Sequence, residues 1–119
     1  MIIDWELSLK LAGNNQQTAE DLLALLIKTL PNELSDIKSA FENNQHYLLK
    51  RLLHKLHGAL CYCELPNLKQ AVKAFESALK NNEATLFPLL YFQLTQAVHD
   101  LINFVNNKIN LLQSGISTE

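Results

Sequence analysis

Only three glycines and three prolines punctuate the 119 residues, where average usage would place about 12% for the two together. Turns must therefore be few and regular segments long, which excludes a loop-rich β fold. Between the breaks, apolar residues recur at helical spacing. Asp4 precedes Trp5, Leu7, Leu9 and Leu11 as an N-cap, and Gly13-Asn14-Asn15 closes that short lead helix. Ala19, Leu22, Leu23, Leu26, Ile27 and Leu30 begin a second helix near Gln17. Leu34, Ile37 and Phe41 keep its phase beyond Pro31, so the proline is expected to kink the helix without ending it.

Asn43-Asn44 ends that helix, and a third runs from Tyr47 to about Cys63. Pro66 opens a fourth, with Leu68, Ala71, Val72, Phe75 and Leu79 on one face, and Asn81-Asn82 closes it. A fifth starts near Ala84 and is expected to run to about Leu112, with Phe92 and Phe104 counted beside Phe75 as core aromatics. The fold class predicted is all-α, an antiparallel four-helix bundle behind a short N-terminal lead helix. One domain is expected over 1–115, long enough to bury roughly two-thirds of its unfolded surface, with 116–119 a flexible tail.

Ten Lys+Arg against twelve Asp+Glu leave a formal net charge of -2, so no nucleic-acid-binding field is present unless basic residues gather locally. The longest apolar run, Leu22 to Ile27, falls far short of the roughly 20 residues that span a bilayer, and no membrane contact is expected of this domain. The opening MIIDWELSLK has neither a basic nor an apolar region of a secretory signal. Cys61 and Cys63 diverge by about 200° on a helix and do not face each other. Unpaired thiols without an export signal fit a cytoplasmic location.

The chemistry concentrates in YLLKRLLHKLHGALCYCE, residues 47–64. At about 100° per residue, Leu48, Leu49, Leu52, Leu53, Leu56, Ala59, Leu60 and Cys63 form an apolar face. His54 falls opposite its centre, and Tyr47, Lys50, Arg51, His57, Gly58 and Cys61 lie within roughly 60° of it. A histidine is thereby set in solvent on a basic stripe of an acidic protein. Gly58 costs about 0.8–1 kcal/mol relative to alanine in a helix interior, and its place one turn after His54 suggests room for an approaching molecule. Lys50, Arg51 and Lys55 could equally serve only to solvate a helix face.

LLHKLHGALCYCELPNLKQAVKAFESAL resembles the signature of histidine-containing phosphotransfer (HPt) domains, an exposed histidine followed three and four residues on by a basic residue and a glycine. IDWELSLKLAG, the Leu30-Pro31 step and LPNLK extend the likeness over nearly the whole chain. They are similar to the C-terminal HPt domain of tripartite hybrid sensor kinases of the kind that drive a bacterial carbon-storage or virulence regulator. The resemblance implies a phosphorelay carrier with His54 as phosphoacceptor. His57 stands where most of the wider family has lysine. It also implies two protein partners, the receiver domain of a hybrid kinase as donor and the receiver of a response regulator as acceptor. Mg²⁺ would belong to the partner receiver, with no cofactor bound by this chain.

Imidazole, with a reference pKa near 6.5, is largely neutral and nucleophilic at cytosolic pH. Phosphoryl transfer asks little of a carrier beyond an accessible, aligned nucleophile and nearby positive charge, which Lys50, Arg51, Lys55 and a protonated His57 would supply. The chain carries no ATP-binding signature, so it is expected to be a transfer module rather than a kinase by itself. The resemblance implies the cytosolic end of a membrane-anchored hybrid kinase, with an independent small protein of the same family as the alternative. Two alternatives stay open. One is a bundle that docks a receiver without accepting phosphate. The other is a metal site of His54, His57 and Cys61, one ligand short of a structural zinc centre.

Overall fold

Five α-helices account for the computed structural model, which describes the backbone of residues 1–118 and the side chains of residues 1–107. They are α1 (Trp5–Leu11), α2 (Gln16–Glu42), α3 (His46–Ala59), α4 (Pro66–Lys80) and α5 (Phe87–Thr118). Short 3₁₀ turns at Leu60–Tyr62 and Ala84–Leu86 follow α3 and precede α5. The third helix therefore ends four residues before Cys63, and the fifth begins three after Ala84. The flexible tail expected over 116–119 falls where the side chains, and Glu119 altogether, lie outside the described residues.

Local chemistry sets the helix ends. Asp4 Oδ1 accepts the Leu7 amide at 3.1 Å and Asn15 Oδ1 accepts that of Thr18 at 3.0 Å, each filling one orphan donor of a first turn. Gly13, Asn44 and Asn82 follow the C-caps of α1, α2 and α4 with φ of 67°, 54° and 55°. Each allows the paired reverse bonds of a Schellman closure, for example Gln45 N–H to Ala40 O at 2.9 Å and Asn44 N–H to Phe41 O at 3.2 Å. α2 runs unbroken through Pro31, which lies on the exposed side, where water can replace the hydrogen bond its ring removes.

α2 packs on α3, α3 on α4 and α4 on α5, and α5 closes the ring against α2. Short connections between successive neighbours make the bundle antiparallel. Its centre holds Leu30, Ile37, Leu49, Leu53, Leu65, Val72, Phe75 and Leu94, each at most 1% exposed. Phe41 bridges the layers, stacked on Tyr91 at 4.6 Å between centroids and edge-on to Phe75 at 6.3 Å.

The aromatic expectation for α5 needs correction: Phe92 is 63% and Phe104 39% exposed, whereas Phe87, Leu94, Val98 and Leu101 are buried. Phe92 precedes Leu94 by two positions, about 200° round the helix, and so points away from the core.

α1 is anchored by polar contacts rather than by a large apolar face. Asp4 N–H donates to Glu64 O at 2.8 Å, and Glu64 N–H donates to Ser8 Oγ at 3.0 Å. These bonds explain the burial of a serine and clasp the lead helix to the chain between α3 and α4.

Candidate functional site

α3 presents two opposite faces. Leu49, Leu53, Leu56 and Leu60 are at most 2% exposed, while the His54 side chain between them in sequence is 84% exposed. Leu48, assigned to the apolar face, lies at its margin and is 40% exposed. The buried leucines fix the helix's rotation, and that rotation delivers His54 to solvent.

Lys50, Arg51, His54 and Lys55 line one open depression, together with Glu76, Ser77 and Lys80 of α4. Three cationic side chains of α3 and one of α4 thus share the depression with the imidazole. Tyr47, 76% exposed, His57, Gly58 and Cys61 do not line that depression. Cys61 is exposed and its Sγ is directed to the His57 carbonyl oxygen at 3.8 Å. Cys63 is buried, and burial pushes its thiol up. Among the described residues no three His, Cys, Asp or Glu side chains are grouped to hold a metal ion, so His54, His57 and Cys61 do not converge into such a site.

Gly58 is exposed, and a Cβ built on it would meet nothing within 4 Å. Its φ is not in the left-handed region that favours glycine. Neither backbone nor internal packing requires it, so the space it leaves opens only to what lies outside the chain.

Glu76 was not among the residues the sequence singled out. Its Oε1 lies 2.7 Å from His57 Nδ1, a hydrogen bond, and its Oε2 lies 3.5 Å from His54 Nδ1. An ionised carboxylate only accepts, so the His57 bond requires a proton on that Nδ1. Oε2 likewise favours a proton on Nδ1 of His54, which leaves the Nε2 lone pair as the ring's nucleophile. A partial positive charge developing on the ring would face a carboxylate. α4 places Glu76 directly after the buried Phe75. Its own helical wheel does not tell which flank of α4 meets α3, so no signal within the sequence pairs Glu76 with His54.

Glu33 of α2 has its Oε2 buried without a hydrogen-bond partner. Burial raises its carboxyl above the ordinary value, the Lys55 ammonium opposes that rise, and Asp36 adds to it.

No helix among the described residues is long and apolar enough to cross a membrane. The Hpt domain family profile matches residues 21–104. The sensor histidine kinase GacS of Pseudomonas protegens is 37% identical over 90 residues, 75% of this chain and 10% of the kinase. Sensor protein GacS of Pseudomonas syringae is 35% identical over 82 residues, 69% of this chain and 9% of that protein. BarA of Escherichia coli K12, a signal transduction histidine-protein kinase, is 29% identical over 79 residues, 66% of this chain and 9% of the kinase. The chain thus spans about a tenth of the length of these relatives. A crystal structure of the HPT domain from a Shewanella sensor hybrid histidine kinase superposes with a TM-score of 0.79 at 28% identity, covering 92% of this chain and 94% of that one. With the family profile spanning most of the bundle and the exposed histidine of α3 inside it, the chain belongs to the Hpt domain family, the phosphotransfer domains of two-component phosphorelays.

Proposed function

We propose that this domain carries a phosphoryl group on His54 between two receiver domains. The Nε2 lone pair of His54 attacks the phosphorus of a receiver phosphoaspartate. An N–P bond forms as the bond from phosphorus to the aspartate oxygen breaks, and aspartate leaves as carboxylate. The ring keeps its Nδ1 proton and becomes a phosphoimidazolium facing Glu76. In the second step a response-regulator aspartate attacks phosphorus, and the N–P electron pair returns to Nε2. Lys50, Arg51, Lys55 and Lys80 neutralise the phosphoryl oxygens and meet the acidic pocket of the partner. Mg²⁺ is supplied by the receiver, and this chain holds no part of it.

The observation that carries this reading is an imidazole 84% exposed, with its Nδ1 facing Glu76 and lysines and an arginine around it. The open space at Gly58, one turn on, supports docking of a second protein at the same face. By this reading the donor is the receiver of a hybrid kinase, and the domain works at the cytoplasmic end of such a kinase.

The test is incubation with a radiolabelled phospho-receiver of a GacS-type hybrid kinase, wild type beside His54→Gln. Label on the wild type alone, lost in acid and stable in alkali, is expected. A wild type that binds the receiver as tightly as His54→Gln does and takes up no label would instead make the domain a docking bundle.

A further inference from the structure

Glu76 shares its two oxygens unequally between two histidines. The short bond of 2.7 Å goes to His57, whose side chain is 32% exposed, and the looser approach of 3.5 Å to His54. A glutamate has three side-chain torsions, and one 22% exposed has freedom to swing unless something holds it. Cations within reach of the depression, Lys50, Arg51, Lys55 and Lys80, would draw an unheld Glu76 carboxylate away from Nδ1 of His54. None of them is within ion-pair distance of Glu76 in the structure, where that carboxylate pairs with the two histidines instead.

We infer that His57 is a positioning residue: through its Nδ1–H bond it holds Glu76 so that the second carboxylate oxygen keeps His54 in the Nδ1–H form, with Nε2 free to accept phosphoryl. This rests on the proposed role of His54 and deepens it. It assigns His57 an action through Glu76 rather than direct contact with the phosphoryl oxygens. The two actions make opposite demands on a substitute. Holding Glu76 needs a donor at the position of Nδ1, which an asparagine amide reproduces without charge. Screening phosphoryl needs charge, which asparagine lacks.

The test reads the imidazole ¹⁵N shifts of His54 near pH 8, above the reference imidazole pKa of about 6.5, so that the neutral tautomers are compared. The series is wild type, His57→Ala, His57→Asn, Glu76→Ala and the double alanine variant, with phosphoryl-transfer rates measured on the same samples. In the wild type the Nδ1–H tautomer is expected to dominate. His57→Ala is expected to lower its ratio to the Nε2–H tautomer about tenfold, with transfer slowing by a similar factor, and Asn to restore most of both.

In the Glu76→Ala background the His57→Ala change should add nothing, because residues acting as one unit are not additive. An unchanged His54 tautomer in His57→Ala would overturn the inference. So would rate losses that multiply in the double variant, or an Asn variant as slow as Ala. Because the tautomer is read without phosphoryl, a wild type with the expected tautomer response but no label would refute the carrier role of His54 and leave the positioning role standing.

Discussion

Gly13 and Gly58 look alike in one respect: a Cβ on either would meet nothing within 4 Å. At Gly13 the backbone is the reason for glycine, since φ of 67° is strained for most other residues and the α1 closure depends on it. At Gly58, inside α3, neither backbone nor packing asks for it. A glycine that stability does not need points to a surface kept low for another molecule. The two faces of α3 repeat the contrast at larger scale. Leucines there hold the bundle together, and the histidine opposite them contributes almost nothing to holding it.

The contrast would break if the exposed face proved structural. His54→Gln is expected to abolish transfer, by about three orders of magnitude or more, while stability in urea changes by no more than about 0.5 kcal/mol. Phe75→Ala, on the buried side at 0% exposure and packed on Phe41 and Phe87, should cost about 3–5 kcal/mol in the same titration. Gly58→Ala sharpens the contrast because stability and activity should move in opposite directions. It should gain about 0.5–1 kcal/mol yet slow transfer from the receiver about tenfold by lifting the docked partner. Equal transfer rates with that gain in stability would remove the docking argument for Gly58.

Glu33 gives the smallest effect. Its carboxyl is raised from the ordinary 4.5 by burial, against the pull of Lys55, so the folded state favours the protonated form. The stability linked to that preference is complete below the unfolded value and lost as pH rises through the folded one. At pH 7 the ionised group therefore costs stability, and Glu33→Gln should raise Tm by about 1–3 °C. Below about pH 4, where the unfolded glutamate is also protonated, the gain should disappear. Melting curves at both values check it.

Much of the architecture was legible because its signals are local. Asp4 caps, Gly13, Asn44 and Asn82 close helices, and the leucine spacing of α3 places His54 opposite the core. α5 was less legible, since apolar residues occur all round it and burial then depends on which side meets α2 and α4, leaving Phe92 outside. The end of α3 at Ala59 was missed because Leu60 and Cys63 continue the apolar pattern through a 3₁₀ turn. Glu76 was invisible for a related reason. Its role exists only between α3 and α4, at a register set by how Phe75 seats in the core.

The most direct measurement is the location of the phosphoryl group. The wild-type domain would be phosphorylated by a phospho-receiver, digested at neutral to alkaline pH and sequenced by electron-transfer fragmentation, which keeps N–P bonds intact. The account predicts phosphate on His54 and none on His46, His57 or His99. Phosphate on His57, or a domain that docks the receiver and carries none, would contradict it.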